Sequence, residues 1–156
     1  LGSLAFLFLA PGIVAGIIPW SITGWRFAAA FAGYIILKIV GAALIVGGLV
    51  PLLDAFARFA FEGEGTPAPI APTRRLVIRG PYRYVRNPMY LGVLALILGQ
   101  VLLFANLPLL AYAAVIALAF QLFVTFYEEP TLRQTYGPEY DAFAAAVPRW
   151  LPRRTW

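Results

Sequence analysis

The sequence predicts an all-α membrane protein with about four transmembrane helices, a cytoplasmic loop and an amphipathic C-terminal helix. Hydrophobic residues make up 62% of the 156 residues and charged residues only 12%, whereas about a quarter of an ordinary soluble domain is charged. The apolar residues form runs long enough to cross a bilayer, and the charges lie between and after these runs. We expect one integral membrane domain over residues 1–156.

Two apolar runs predict the first two helices. The first covers about residues 4–20, is only just long enough to cross, and is followed by a polar break at residues 21–26 between two interfacial tryptophans. The second covers residues 27–59, which exceeds one simple crossing, so we expect it to tilt or to lie partly in the interface. Lys38 within it is either an intramembrane functional site or a lysine that reaches the headgroups from the outer end.

A polar segment, residues 62–87, separates these runs from a helical hairpin. Asn87-Pro88 marks the start of the third helix, because Asn is a preferred N-cap and Pro is favoured at the first helical position. This helix extends to about Phe104. Residues 105–108 form a tight turn, and the fourth helix returns to about Tyr127.

The remainder, residues 128–156, predicts an amphipathic helix that leaves the membrane and breaks at Pro148 and Pro152. Arginines before the third helix and in this tail, with none in the turn at residues 105–108, place both segments and the N-terminus in the cytoplasm. The arginines are Arg74, Arg75, Arg79, Arg83, Arg86, Arg133, Arg149, Arg153 and Arg154. Since they lie close to helix ends, membrane lipids are their expected partners and a nucleic acid is not.

The composition also restricts the chemistry. The chain contains neither cysteine nor histidine, which excludes disulfides, thiolate nucleophiles, imidazole acid–base catalysis and zinc sites of the usual kind. No metal site is predicted. Carboxylates, arginines, tyrosines and the backbone are left to perform any reaction.

The two ends of the predicted hairpin contain the candidate site. Residues 86–90 and 127–130 are about 40 positions apart, and two antiparallel helices return them to the same side of the membrane. We therefore expect Arg86, Asn87, Tyr90, Glu128 and Glu129 to share one pocket rim. The alternative is that arginine and glutamate at these helix ends only form ion pairs at the interface.

These two segments resemble a known family. Arg-Asn-Pro-Met-Tyr-Leu-Gly at residues 86–92, preceded by Leu-Val and Gly-Pro-Tyr, is similar to the signature of the isoprenylcysteine carboxyl methyltransferases. Glu-Glu-Pro-Thr-Leu at residues 128–132, Gly-Pro-Glu-Tyr at 137–140 and Val-Pro at 147–148 match its second signature. The segments at 87–90 and 127–130 also resemble the related phosphatidylethanolamine N-methyltransferases.

The resemblance implies a membrane-embedded methyltransferase that uses S-adenosylmethionine on the cytoplasmic side and takes a lipophilic acceptor from the bilayer. The acceptor is an isoprenylcysteine-like carboxylate or a phospholipid amine. Carried over by position, Glu129, Arg86 and Asn87 are predicted as catalytic. Cofactor binding is predicted for Tyr82, Asn87, Pro88, Tyr90, Gly92, Glu128, Glu129 and Tyr140.

One departure from the family pattern concerns the base. Asn87 stands where the family commonly has histidine, and an amide cannot act as a general base. A carboxylate acceptor needs no base, whereas an amine must lose a proton, and Glu128 or Glu129 is then the candidate.

Two other functions remain open. A membrane reductase that binds NADPH has a similar helical core, and Arg74, Arg75 and Arg79 are the feature in its favour. A small scaffold or transport component is the non-enzymatic alternative. Its support is the glycine-rich second helix, with Gly41, Gly47 and Gly48, because small residues permit close packing or a homodimer.

Overall fold

A computed structural model of the chain describes residues 9–27, 33–61, 76 and 78–153. These segments fold into helices, which we number in chain order, and a 3₁₀ turn at Gly80–Arg83. π-helical turns interrupt the first and fourth helices at Ile13–Ile17 and Val124–Glu128. The helices are α1 (Leu9–Thr23), α2 (Tyr34–Phe61), α3 (Pro88–Phe104), α4 (Leu107–Tyr136) and α5 (Pro138–Ala146).

Among the residues that the structure describes, two helices are long and apolar enough to cross a membrane. They are Tyr34–Ala57 in α2, with mean hydropathy 2.4, and Leu107–Tyr136, with mean hydropathy 2.2. Only 17% of the most apolar window of each is buried inside the protein, whereas the core helix of a soluble protein is mostly covered. These faces therefore indicate a membrane protein. α1 and α3 are shorter apolar helices, so the number of four spans and the cytoplasmic loop stay predictions.

Glycines bring α2 and α3 into backbone contact. A Cβ atom on Gly41 would lie 2.6 Å from the Gly99 carbonyl oxygen, and one on Gly48 would lie 2.7 Å from that of Gly92. The contacts are reciprocal, since a Cβ on Gly99 or Gly92 would meet the carbonyl of Gly41 or Gly48 at 2.6 and 2.8 Å. Glycines seven residues apart on each helix thus fix an antiparallel register with no room for side chains.

Pro19 explains how α1 attaches to α3 and α4. A proline has no N–H and its ring crowds the carbonyl four residues before it, here that of Ala15. In the π turn the Ile18 N–H donates to the carbonyl of Ile13 rather than to that of Val14. The two released carbonyls accept hydrogen bonds from neighbouring helices, Ala15 from Gln100 Nε2 at 2.7 Å and Val14 from the Tyr112 hydroxyl at 2.8 Å.

The predicted boundaries of the first two helices are partly wrong. α1 continues through Thr23, because the Ser21 and Thr23 hydroxyls donate to carbonyls of their own helix and need no polar break. α2 begins at Tyr34 rather than Phe27, after Gly33 with φ +85. Hydrophobicity alone could not locate this start, since the residues on both sides are apolar. The start of the first run, residues 1–8, lies outside the described residues.

The hairpin between α3 and α4 has the predicted turn. Ala105 adopts a left-handed conformation with φ 47, and the Asn106 side chain accepts from the Leu109 N–H at 2.8 Å. The fourth helix was predicted to return to about Tyr127 and the chain to continue as a separate amphipathic helix; in the structure α4 continues as one helix to Tyr136. The π turn immediately before Pro130 accommodates a residue without an N–H while the helix continues. α5 ends before Pro148, as predicted.

Lys38 has partners that favour its interpretation as a lysine that reaches the headgroups over that of an intramembrane functional site. Its ammonium nitrogen lies 4.7 Å from the Phe27 ring centroid and 4.6 Å from that of Tyr34. The Tyr34 hydroxyl donates to the Leu103 carbonyl at 2.7 Å, which puts this cluster beside the end of α3 farthest from Asn87. A cation between aromatic rings at a helix end is typical of interfacial anchoring.

The α2–α3 contact generates a stability prediction. Gly48→Ala should lower the free energy of unfolding by about 1–3 kcal/mol, because the new methyl group forces the backbones apart. Gly47→Ala is the matched control, since nothing lies within 4 Å of its Cβ position. Thermal unfolding in detergent measures both. Equal melting temperatures for the two variants would refute the close contact.

Candidate functional site

The structure brings the two ends of the hairpin together. Arg86 Nη1 lies 3.1 Å from Glu129 Oε1, and the Tyr90 hydroxyl donates to Glu128 Oε2 at 2.8 Å. The convergence predicted from antiparallel helices is therefore observed. Both pairs lie where α3 begins and the π turn of α4 ends, because α3 and α4 form a hairpin with a short turn at its far end.

Glu129 is a buried carboxylate that two arginines neutralise. Only 8% of the residue is exposed. Arg149 donates to it through Nε at 2.7 Å and Nη2 at 2.9 Å, the bidentate geometry, and Arg86 contributes the third contact. The hydrogen bond to Glu129 raises the pKa of the Arg149 guanidinium, which therefore stays charged. Both oxygens of Glu129 are thus occupied by guanidinium groups.

Glu128 has a different environment from its neighbour. Its described hydrogen bond comes from the Tyr90 hydroxyl, and the Tyr90 ring packs at 4.6 Å against Phe120. Tyr82, on the 3₁₀ turn, is close enough for the Glu128 charge to act on it. Burial, and then that charge, raise the pKa of the Tyr82 hydroxyl, so Tyr82 stays a neutral hydrogen-bond donor.

A C-terminal strap, residues 147–153, closes one side of this cluster. The Arg86 N–H donates to the Pro148 carbonyl at 2.9 Å, and the Arg153 N–H donates to the Tyr84 carbonyl at 3.0 Å. The Trp150 indole N–H donates to Gln121 Oε1 on α4 at 2.7 Å. The strap therefore bonds both to the segment before α3 and to α4, across the cluster.

Asn87 contributes to this closure in a way that the sequence did not indicate. It occupies the N-cap position of α3, as predicted, but its side chain makes no capping hydrogen bond. Instead Nδ2 donates to the Arg149 carbonyl at 3.1 Å, and the residue is buried. The amide therefore fixes the strap residue whose guanidinium binds Glu129. A catalytic or cofactor-binding role for Asn87 stays a prediction.

The remaining predicted site residues have different neighbours. Tyr140 is buried, and its hydroxyl accepts from Arg86 Nη1 at 3.4 Å. Burial raises the pKa of Tyr140. Gly92 faces α2, where its packing against Gly48 accounts for the glycine. Pro88 is the buried first residue of α3. The cofactor contacts predicted for these three residues stay predictions.

Sequence reasoning did not identify Arg149 and Gln121 as parts of this site. Arg149 was assigned only to the basic tail, although it directly follows the Val-Pro pair of the second signature, which was the available signal. Gln121 lies inside an apolar helix, where a polar side chain needs a partner. That partner, Trp150, is 29 residues away in sequence.

The arrangement has features that suit a charged polar ligand. Arg86 Nε is a buried donor with no hydrogen-bond partner in the described part of the chain, and such a group is costly unless a ligand or water satisfies it. Within the same cluster lie a carboxylate that no described arginine contacts, Glu128, and the aromatic rings of Tyr90 and Phe120. The site thus offers a donor, an acceptor and a π surface together.

Comparison with known proteins gives one match. The model of a family described as phospholipid methyltransferase matches residues 36–139, which is 104 of the 156 residues. The match includes α3, the π turn of α4 and both glutamates, and ends one residue before Tyr140. No curated protein and no solved structure gives a significant match.

The strap generates a prediction for Arg149. Arg149→Gln should lower the free energy of unfolding by about 1–3 kcal/mol, because it leaves a buried carboxylate with one guanidinium instead of two. Arg153→Gln is the control, since Arg153 contacts Tyr84 through its backbone N–H. Thermal unfolding reports the loss, and limited proteolysis should cut the released strap first. Equal stability and equal cleavage in both variants would contradict the assignment.

Proposed function

The chain belongs to the phospholipid methyltransferase family, and on this premise we propose that it is an S-adenosylmethionine-dependent methyltransferase acting on a lipophilic acceptor from the bilayer. The observation that carries the proposal is the pairing of Tyr90 with Glu128, 38 residues apart, beside Arg86 and Glu129. All four residues lie within the matched segment. The pairing creates one polar site at an end of a membrane hairpin.

When bound, S-adenosylmethionine would supply an electrophilic methyl group whose bond to sulfur breaks, with the electron pair left on sulfur, as the acceptor bonds to carbon. The protein's own contribution is positioning and the exclusion of water. We assign the orphaned Nε of Arg86 to the carboxylate of the cofactor. Glu128 is assigned to its ammonium or hydroxyl groups, and the rings of Tyr90 and Phe120 to its cationic centre.

The geometry separates the two glutamates into different roles. Glu129 is held by Arg86 and Arg149 and is assigned to positioning, since both of its oxygens already accept charge-assisted hydrogen bonds. Glu128 is the group available to receive a proton from an amine acceptor, and the Tyr90 hydroxyl orients it. A carboxylate acceptor would need no base, so Glu128 would then bind only the cofactor.

The charge distribution supports a cytoplasmic site. Arg86, Arg149 and Arg153 cluster with the strap at the end of the molecule where α3 begins. The opposite end, beside the turn at Ala105, has Lys38 against aromatic rings. By the positive-inside rule, this distribution supports our proposal that the site faces the cytoplasm, where the soluble cofactor is available.

The alternatives have weaker support. For the NADPH-dependent reductase, Arg79 is exposed before the 3₁₀ turn, Arg74 and Arg75 lie outside the described residues, and the family match favours methyl transfer instead. For the scaffold, Gly41 and Gly48 contact α3 of the same chain and are not available to a second copy. Gly47 faces open space, so a homodimer through it stays a prediction.

A ligand titration tests the proposal. The melting temperature of the purified protein should rise when S-adenosylhomocysteine is added and should not change when NADPH is added. Glu128→Gln and Tyr90→Phe should each weaken S-adenosylhomocysteine binding by about tenfold. The first removes the negative charge assigned to the cofactor, and the second removes the hydroxyl that donates to Glu128 at 2.8 Å.

Glu139→Gln is the matched control for these variants, because Glu139 is exposed on α5. It should bind S-adenosylhomocysteine as the wild type does. A stabilising effect of NADPH alone would support the reductase instead. Unaltered affinity in Glu128→Gln and Tyr90→Phe would place the cofactor elsewhere.

A further inference from the structure

A groove separate from the Glu128–Tyr90 pair opens between α2 and the 3₁₀ turn. It has a volume of about 640 Å³ and is open to the outside. α2 contributes Val50, Pro51 and Asp54, and the turn region contributes Gly80, Pro81, Arg83 and Tyr84. The groove therefore combines apolar walls with one acidic and one basic side chain.

The register of α2 against α3 places this groove at the level of the candidate site. Gly41 opposes Gly99 and Gly48 opposes Gly92. Extending the same antiparallel register by six residues puts Asp54 opposite Arg86, at the start of α3. The charged end of the groove thus lies at the same depth as the Arg86–Glu129 pair.

An exposed apolar face leads along α2 into the groove. Val46 is 62% exposed and Val50 is 64% exposed, and Asp54 follows four residues after Val50. Residues at this spacing share one face of a helix. From Val46 to Asp54 the helix rises about 12 Å, close to the thickness of one leaflet's hydrocarbon. An acyl chain lying on this face would therefore bring its headgroup to Asp54.

The 3₁₀ turn lines the groove and also carries a residue that the charge of Glu128 affects. In such a turn residues three apart share a face, and Pro81 and Tyr84 both line the groove. Tyr82 is not among the lining residues, and it lies near Glu128, whose charge acts on it. One short turn thus lines the groove and holds Tyr82 within range of the Glu128 charge.

We propose that this groove is the entry site of the acceptor, where a zwitterionic phospholipid headgroup is captured with its phosphate at Arg83 and its ammonium at Asp54. The inference rests on the proposed function and assigns Asp54 and Arg83 as the residues that bind the acceptor before methyl transfer. Asp54 and Arg83 each also interact within the chain, and they hold the headgroup alongside those partners. For methyl transfer the ammonium must leave Asp54 and reach Glu128, to which it gives a proton, and the resulting amine accepts the methyl group.

The test compares acceptor dependence with cofactor binding. Methyl transfer to phosphatidylethanolamine in mixed micelles is measured at increasing lipid fractions, and S-adenosylhomocysteine affinity is measured by thermal shift. Asp54→Asn and Arg83→Gln should each raise the KM for the lipid about tenfold or more and leave the S-adenosylhomocysteine affinity within about twofold. Val50→Trp, which narrows the groove and removes no charge, should also raise the KM.

Arg133→Gln and Asp141→Asn are the matched controls. They remove the same two kinds of charge from an exposed ion pair outside the groove, in which Arg133 Nε lies 2.7 Å from Asp141 Oδ1. The lipid KM of these two variants should equal that of the wild type. An unchanged lipid KM in all three groove variants of an active enzyme would overturn the entry site and leave the methyltransferase intact. Transfer only to an anionic prenylcysteine would also overturn it. A wild type that neither binds S-adenosylhomocysteine nor transfers methyl would refute the proposed function itself.

Discussion

The buried carboxylate of Glu129 is the constraint that organises the proposed site. A charge in this position is stable only if it is paired and hydrogen-bonded. Arg86 comes from the segment before α3 and Arg149 from the strap, so neutralising Glu129 joins three parts of the chain. Asn87 and Tyr140 then hold the two arginines, through the Arg149 carbonyl and Arg86 Nη1. Glu128, one residue earlier, keeps a carboxylate that these arginines do not contact.

The helices that present this network are themselves held by backbone groups. Between α2 and α3 the glycines let carbonyl oxygens contact the facing helix. Between α1 and its neighbours, carbonyls released by Pro19 and a π turn accept from Gln100 and Tyr112. Helices that expose apolar faces gain little from hydrophobic contact in lipid, so close packing and hydrogen bonds must align them. Prolines and glycines, which weaken an isolated helix, are the residues that specify how these helices associate.

The candidate site was predictable only in part. Arg86, Tyr90, Glu128 and Glu129 were identified because a hairpin returns its two ends to one place, and the distances agree with that expectation. Arg149 was not identified, because nothing in a basic tail indicates which arginine folds back. Gly92 was predicted for the cofactor, and its observed contact is with Gly48. A glycine in an apolar helix is compatible with either use; the facing helix accounts for the glycine, and its cofactor contact stays a prediction.

The sequence by itself determined the class of the molecule. Its apolar runs, its clustered charge and its two motifs indicated a helical membrane methyltransferase, because hydropathy and motif spacing are local properties of a chain. The tertiary structure decided which groups meet. In the folded chain Glu129 pairs with two arginines, and Glu128 accepts a hydrogen bond from Tyr90. Asp54 and Arg83 line the same groove. These partners are 20 to 43 residues apart in the chain, and Tyr90 and Glu128 are separated by 38. In addition, the backbone contact of α2 with α3 fixes a register that hydrophobicity does not encode.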